Sequence, residues 1–192
     1  MFYWFMKVLA YIPFWLFCPT ILKGQKNLPK GKCILVVNHK SNFDPLVICN
    51  MIWREQHILA KKELFKHFGL RSFLKGMKSI PVDREKVEIS TLKQCFSVLK
   101  NNKILTIFPE GTRNKTKEPL LDIKDGAGKI AIKTNTPIVP VWIKRKPMPF
   151  ILNKVYIGEP FYLTKDYENP NEIIKQKMLE VRENNITSKK TK

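Results

Sequence analysis

Apolar and polar positions follow two different rhythms along most of this chain. Unbroken apolar runs of strand length, such as "CILVV" (33–37) and "ILTIF" (104–108), recur between stretches in which apolar residues return every three or four positions. A run that is apolar at every position suits a strand covered on both faces, and its alternation with amphipathic stretches of helix length is the signature of repeated βαβ units. The pattern predicts strands near 33–37, 56–60, 79–82, 103–108, 138–143 and 153–158. Helices are predicted over about 45–54, 63–75, 86–101, 126–134 and 171–186. The expected fold is α/β, a largely parallel sheet flanked by helices.

The first 22 residues, "MFYWFMKVLAYIPFWLFCPTIL", depart from this rhythm: they hold eight of the chain's 21 aromatic residues, and Lys7 is their one charged side chain. No basic leader and no small-x-small cleavage site marks them as a cleaved signal peptide. A spanning helix needs about 20 apolar residues, but Pro13 interrupts this run, and Trp and Tyr favour the headgroup boundary. The segment is therefore expected to associate with a membrane, lying in the interface or re-entering it; a spanning helix and a core helix stay open. After it, "KGQKNLPKGK" reads as a polar linker. The expected organisation is a membrane-associating segment at 1–22, one domain at 23–188 and a basic tail at 189–192.

Charge narrows the partners. Thirty-five Lys and Arg against 16 Asp and Glu give a formal net charge of +19, which favours nucleic acid, anionic headgroups or phosphorylated substrates. Only six of the cations are arginines, so the arginines carry more information than the lysines. Cys18, Cys33, Cys49 and Cys95 are irregularly spaced and form no C-x-x-C pair, which fits a reduced, cytosol-facing protein. With three histidines in all, no catalytic metal is expected.

Two polar loops follow two of the apolar runs. "NHKSNFDP" (38–45) places His39 and Asp44 between a strand and a helix; Asp44 before Pro45 is also ordinary helix-start grammar, with the carboxylate as cap. "FPEGTRN" (108–114) offers Glu110, Gly111, Thr112 and Arg113. A third strand end, "SIPVDR" (79–84), delivers Arg84. In open parallel sheets ligands bind at the carboxyl ends of strands, so these loops are expected to converge on one crevice. Arginine forks there suit bidentate phosphate recognition.

In these blocks the chain resembles the glycerolipid acyltransferase family, in particular its 1-acyl-sn-glycerol-3-phosphate (lysophosphatidate) acyltransferases. "NHKSNFD" is similar to the family's N-H-x4-D block, "SIPVDR" to its second block, "FPEGTR" to its third and "PIVPVWI" (137–143) to its fourth. The resemblance covers roughly residues 30–145 and departs from the usual pattern at Lys78, where the family usually has Gly, and at Asn114, where it has Ser. It implies an enzyme that moves a fatty acyl group from a thioester, acyl-CoA or acyl carrier protein, to the sn-2 hydroxyl of lysophosphatidate, forming phosphatidic acid in phospholipid biosynthesis, without a further cofactor. It implies His39 and Asp44 as the catalytic pair, with Arg84, Glu110, Gly111, Thr112 and Arg113 on the acceptor. Glycerol-3-phosphate or another lysophospholipid is the alternative acceptor, and a membrane surface on the cytoplasmic face is the expected location.

The chemistry is consistent with those residue types. A neutral hydroxyl is a poor nucleophile, and His39 can remove its proton while Asp44 fixes the imidazole's tautomer. A thiolate already leaves well and the chain lacks a G-x-S-x-G elbow, so direct transfer is expected and Ser41 is given no nucleophilic role. In "KKELFKHFGLRSFLK" (61–75), Leu64, Phe65, Phe68 and Phe73 can share one face between lysines, which suits either a membrane surface or ordinary packing on the sheet. A nucleic-acid-binding module rests on charge alone, for no recognition signature accompanies it, and nucleic acid is not an expected partner.

Overall fold

The computed structural model describes residues 2–83 and 88–186. In chain order the elements are α1 (Phe2–Phe17), β1 (Thr20–Lys23), β2 (Cys33–Val37), α2 (Asp44–Met51), β3 (Gln56–Lys61), α3 (Phe68–Gly76) and β4 (Ile80–Val82). They continue as α4 (Ile89–Lys100), β5 (Ile104–Ile107), α5 (Gly126–Thr134), β6 (Ile138–Ile143), β7 (Asn153–Ile157) and α6 (Pro170–Ile186). One seven-stranded sheet runs in the order β1-β7-β6-β2-β5-β3-β4. Every pairing is parallel except β6 with β7. This is the largely parallel α/β architecture that the apolar runs predict.

The central strand shows why its sequence is apolar throughout. Ile34 and Val36 of β2 enter a core completed by Leu99 of α4, Ile130 of α5 and Ile174 of α6. Leu35 and Val37 point to the other face, against Val47 and Ile48 of α2 and Tyr3 of α1. Alternate side chains thus serve two cores, and neither face of β2 meets water.

Three differences from the expected elements have identifiable causes. First, β1 extends the sheet at its edge, with Thr20 opposite Asn153 and Lys23 opposite Tyr156, so the expected boundary after residue 22 falls inside a strand. Second, α2 stops at Met51, because the buried Gln56 side chain donates to the carbonyls of Ile48 (3.2 Å) and Ile52 (3.1 Å) and closes the helix end onto β3. Third, the helix expected over 63–75 is divided. Lys61 still pairs with Val82 of β4, the next residues form a 3₁₀ turn (Lys62–Lys66), and His67 is extended before α3 begins. Met77 and Phe73 pack on the core from this region, whereas Leu64, Phe68 and Leu70 stay exposed.

Helix α1 carries its charge inward. Lys7 is fully buried, donates from Nζ to the Ile52 carbonyl at 2.6 Å, and lies 5.2 Å and 5.3 Å from the ring centres of Trp4 and Trp53. Burial lowers its pKa to about 8. The opposite face leaves Phe5, Leu9, Trp15, Leu16 and Phe17 more than half exposed. Among the described residues no helix is long and apolar enough to cross a membrane.

Candidate active site

Parallel pairing aligns the ends of β2 and β5, with Val36 opposite Ile107, so the two polar loops leave the sheet side by side. Backbone and side chain then stitch them together. The His39 N–H donates to Glu110 Oε1 at 2.7 Å, and the Asn114 N–H donates to the His39 carbonyl at 2.7 Å. On the other flank Asn38 clasps β6, donating to the Ile143 carbonyl at 3.1 Å and accepting from the Ile143 N–H at 2.7 Å. His39 is therefore held from both neighbouring strands.

His39 and Asp44, which the resemblance implies as a pair, lie in contact. Nδ1 of His39 lies 3.0 Å from Asp44 Oδ2, and both residues are buried. The same oxygen accepts the N–H groups of Lys40 and Ser41, each at 2.6 Å. An ionised carboxylate only accepts hydrogen bonds, so Nδ1 carries the proton toward Asp44 and Nε2 retains the basic lone pair. The imidazole also packs against the Phe108 ring, 4.4 Å between centres, which restricts its rotation. Asp44 does not act as the helix cap that its place before Pro45 suggests. It lies in the first turn of α2, its Oδ2 turns back into the loop, and its Oδ1 has no hydrogen-bond partner among the described residues. Ser41 is buried and its Oγ accepts from the Phe43 N–H at 3.2 Å, which makes it part of the turn.

The third-block residues divide into two kinds. Glu110 is buried and commits both carboxylate oxygens to backbone, Oε1 to His39 N–H and Oε2 to Leu121 N–H at 2.9 Å. Burial raises its pKa above the usual carboxylate range, against the pull of those two N–H groups. Thr112 and Arg113 are exposed. Between them and Glu110, Gly111 adopts φ +65°, and a Cβ there would lie 2.8 Å from Lys124 Cδ and Cε, so glycine permits both the turn and the close approach of that lysine. Arg84 lies outside the described residues, two positions beyond the end of β4.

Sequence reasoning missed Lys124 and Asn38, and saw Asn114 only as a departure from the family pattern. Lys124 reaches Gly111 because its own N–H donates to the Pro109 carbonyl at 2.9 Å and folds the loop back, which no spacing announces. Asn38 sits beside the histidine in the motif, and that adjacency was its only signal. Asn114, in place of the usual Ser, is buried and accepts from Thr116 N–H at 2.9 Å while donating to the Glu118 carbonyl at 2.9 Å, organising the loop. Among the described residues no group of His, Cys, Asp and Glu is arranged to hold a metal ion.

The family profile described as Acyltransferase matches residues 20–144, the stretch that contains both stitched loops. The chain belongs to the acyltransferase family. Among its acyltransferase relatives, it is similar to a protein named 1-acyl-sn-glycerol-3-phosphate acyltransferase from Bacillus subtilis, 35% identical over 61% of this chain and 58% of that protein. A chloroplastic protein of the same name from Brassica napus is 31% identical over 83% of this chain and 50% of its own length. This acyltransferase chain thus spans about half the length of the curated relatives it matches. A crystal structure titled as the 1-acyl-sn-glycerophosphate (LPA) acyltransferase PlsC from Thermotoga maritima superposes with a TM-score of 0.75 at 26% identity, covering 99% of this chain and 80% of that one.

Glu110 offers a test of its place in the candidate site. Glu110→Gln keeps one acceptor oxygen but turns an amide NH₂ toward a backbone N–H, leaving a buried donor unpaired at a cost of about 1–3 kcal/mol. A lower melting temperature and a fall in kcat with little change in acceptor KM are expected. A raised acceptor KM at unchanged kcat would instead mean direct contact with the acceptor.

Proposed function

We propose that this chain transfers a fatty acyl group from a thioester, acyl-CoA or acyl carrier protein, to the sn-2 hydroxyl of 1-acyl-glycerol-3-phosphate, forming phosphatidic acid. The observation that carries the reading is the 3.0 Å contact of His39 Nδ1 with Asp44 Oδ2, on a loop fixed to the third-block loop. The relatives' names support the acceptor.

In this reading the acceptor hydroxyl oxygen attacks the thioester carbonyl carbon while its proton passes to His39 Nε2. Asp44 stabilises the imidazolium that forms. The tetrahedral intermediate then collapses, the carbon–sulfur bond breaks, and the thiolate leaves with the proton returned by His39. Arg113, with Arg84 as the second fork, binds the acceptor phosphate; Lys124 adds a cation beside Gly111. The exposed aromatic face of α1 rests on the cytoplasmic face of a membrane, where the acceptor resides. No further cofactor is required, because the thioester supplies the activated acyl group.

Thiol release across glycerol phosphate, lysophosphatidate and uncharged lyso acceptors, with each donor, tests the reading; the highest kcat/KM is expected for lysophosphatidate. Arg113→Lys keeps the charge and loses the fork. Acceptor KM should rise roughly ten-fold for a loss of about 1.4 kcal/mol, with a smaller change in kcat. The penalty should shrink for an acceptor without a phosphate monoester, and equal penalties on both kinds of acceptor would overturn the phosphate role.

A further inference from the structure

A second cationic feature lies on the same edge of the sheet as His39. The β6–β7 connection, "KRKPMPFIL" (144–152), starts immediately after Ile143, the residue clasped by Asn38. Since β6 runs parallel to β2, the connection leaves the sheet on the catalytic side. Lys144, Arg145, Lys154, Phe150, Ile151 and Leu152 line an open cavity of about 460 Å³. Among the described residues Lys144, Arg145 and Lys146 have no ion-pair partner. The sequence contains no Asp or Glu from Gly126 to Gly158.

The rim of this cavity is apolar and outward. Phe150 is 76% exposed and sits at φ +61°, a conformation that a bulky aromatic rarely adopts. It is held there by its N–H, which donates to the Phe17 carbonyl at 2.7 Å, and by ring contact with Phe17, 5.6 Å between centres. Asn153 fixes the base of the connection: its N–H donates to the Pro19 carbonyl at 2.8 Å and its side chain donates to the Arg145 carbonyl at 2.9 Å. The loop therefore continues the exposed apolar face of α1, with cations set behind it.

We propose that this cavity binds the headgroup of an anionic phospholipid of the bilayer, with Lys144 and Arg145 on the phosphate and Phe150, Ile151 and Leu152 among the acyl chains. The inference rests on the reading of this enzyme as one that works at a membrane surface, and adds a site distinct from the catalytic loops. Lys144 and Arg145, which have no ion-pair partner among the described residues, match the charge of such a headgroup, and the arginine fork matches phosphate oxygens. A purely polar partner such as nucleic acid would leave the apolar rim in water.

Sedimentation of the full chain with vesicles of phosphatidylcholine, alone or mixed with phosphatidylglycerol, tests the site. K144Q/R145Q should weaken binding to the anionic vesicles by roughly thirty-fold, about five-fold per cation, with little change on phosphatidylcholine. Phe150→Ser should weaken binding to both. K93Q/K100Q removes the same charge from exposed positions on α4 and should keep most of the preference. Equal losses in the two double variants, or full preference retained in K144Q/R145Q, would overturn the site. Wild type that binds neither vesicle would overturn the site and the membrane surface together. Acyl transfer to a short-chain, water-soluble lysophosphatidate, measured on the same preparations, reports separately on the enzymatic reading.

Discussion

Replacing His39 by alanine should lower acyl transfer by at least the 10²- to 10⁴-fold typical of a lost general base, roughly 3–5 kcal/mol of transition-state stabilisation, in a chain that still folds. The fold should survive because the loop is held chiefly through the His39 backbone, whose N–H reaches Glu110 and whose carbonyl accepts from Asn114. Those bonds persist when the imidazole is removed. The lost contact with Phe108 is confined to the edge of one core. Circular dichroism and the melting curve check the fold, and thiol release with lysophosphatidate reads the rate. Ser41→Ala is the contrast: its Oγ serves one turn, so most activity should remain. Near-normal turnover in a folded His39→Ala protein would remove His39 from the mechanism.

Asp44→Asn should be nearly as severe, by a separable route. The amide oxygen can keep the N–H groups of Lys40 and Ser41, and its NH₂ takes the place of Oδ1, which has no partner among the described residues. The loop geometry should therefore change little. The negative charge that stabilises imidazolium is lost, so kcat should fall by about 10² to 10⁴ with little change in acceptor KM. A kcat within a few-fold of wild type would make Asp44 a structural member of the loop. A parallel fall in melting temperature and kcat, rescued together by a stabilising condition, would point the same way.

Much of the fold was legible because strand boundaries coincide with changes in chemistry. The runs at 33–37 and 138–143 and the helix at 126–134 agree with the structure to the residue, since Lys32, Asn38, Pro137 and Asn135 mark their ends. Strand β1 was not legible: four residues at a sheet edge, next to an aromatic helix, carry no periodicity of their own. The split at His67 was hidden for a related reason, because the competing pairing of Lys61 with Val82 is a long-range contact. In the site, the His39–Asp44 contact matches the pairing that the resemblance to the N-H-x4-D block implies, both residues lying in one loop. The attachment of Glu110 to two backbone N–H groups needed the register of β2 against β5, which the sequence does not display. The inward turn of Lys7 was equally hidden, since a lone lysine in an aromatic segment reads as a surface charge until Ile52, just past the end of α2, supplies the carbonyl that receives it.

The central claim is that acyl transfer is direct, with His39 taking the acceptor's proton and no acyl group passing through the protein. The most direct measurement is a single turnover with enzyme in excess over a labelled acyl thioester, with and without lysophosphatidate, following free thiol, labelled phosphatidate and protein-bound label together. The account predicts thiol only when the acceptor is present, an equal amount of phosphatidate, and no label on the protein at any time. A stoichiometric release of thiol without acceptor, with the acyl group on the protein and later passed to lysophosphatidate, would contradict it.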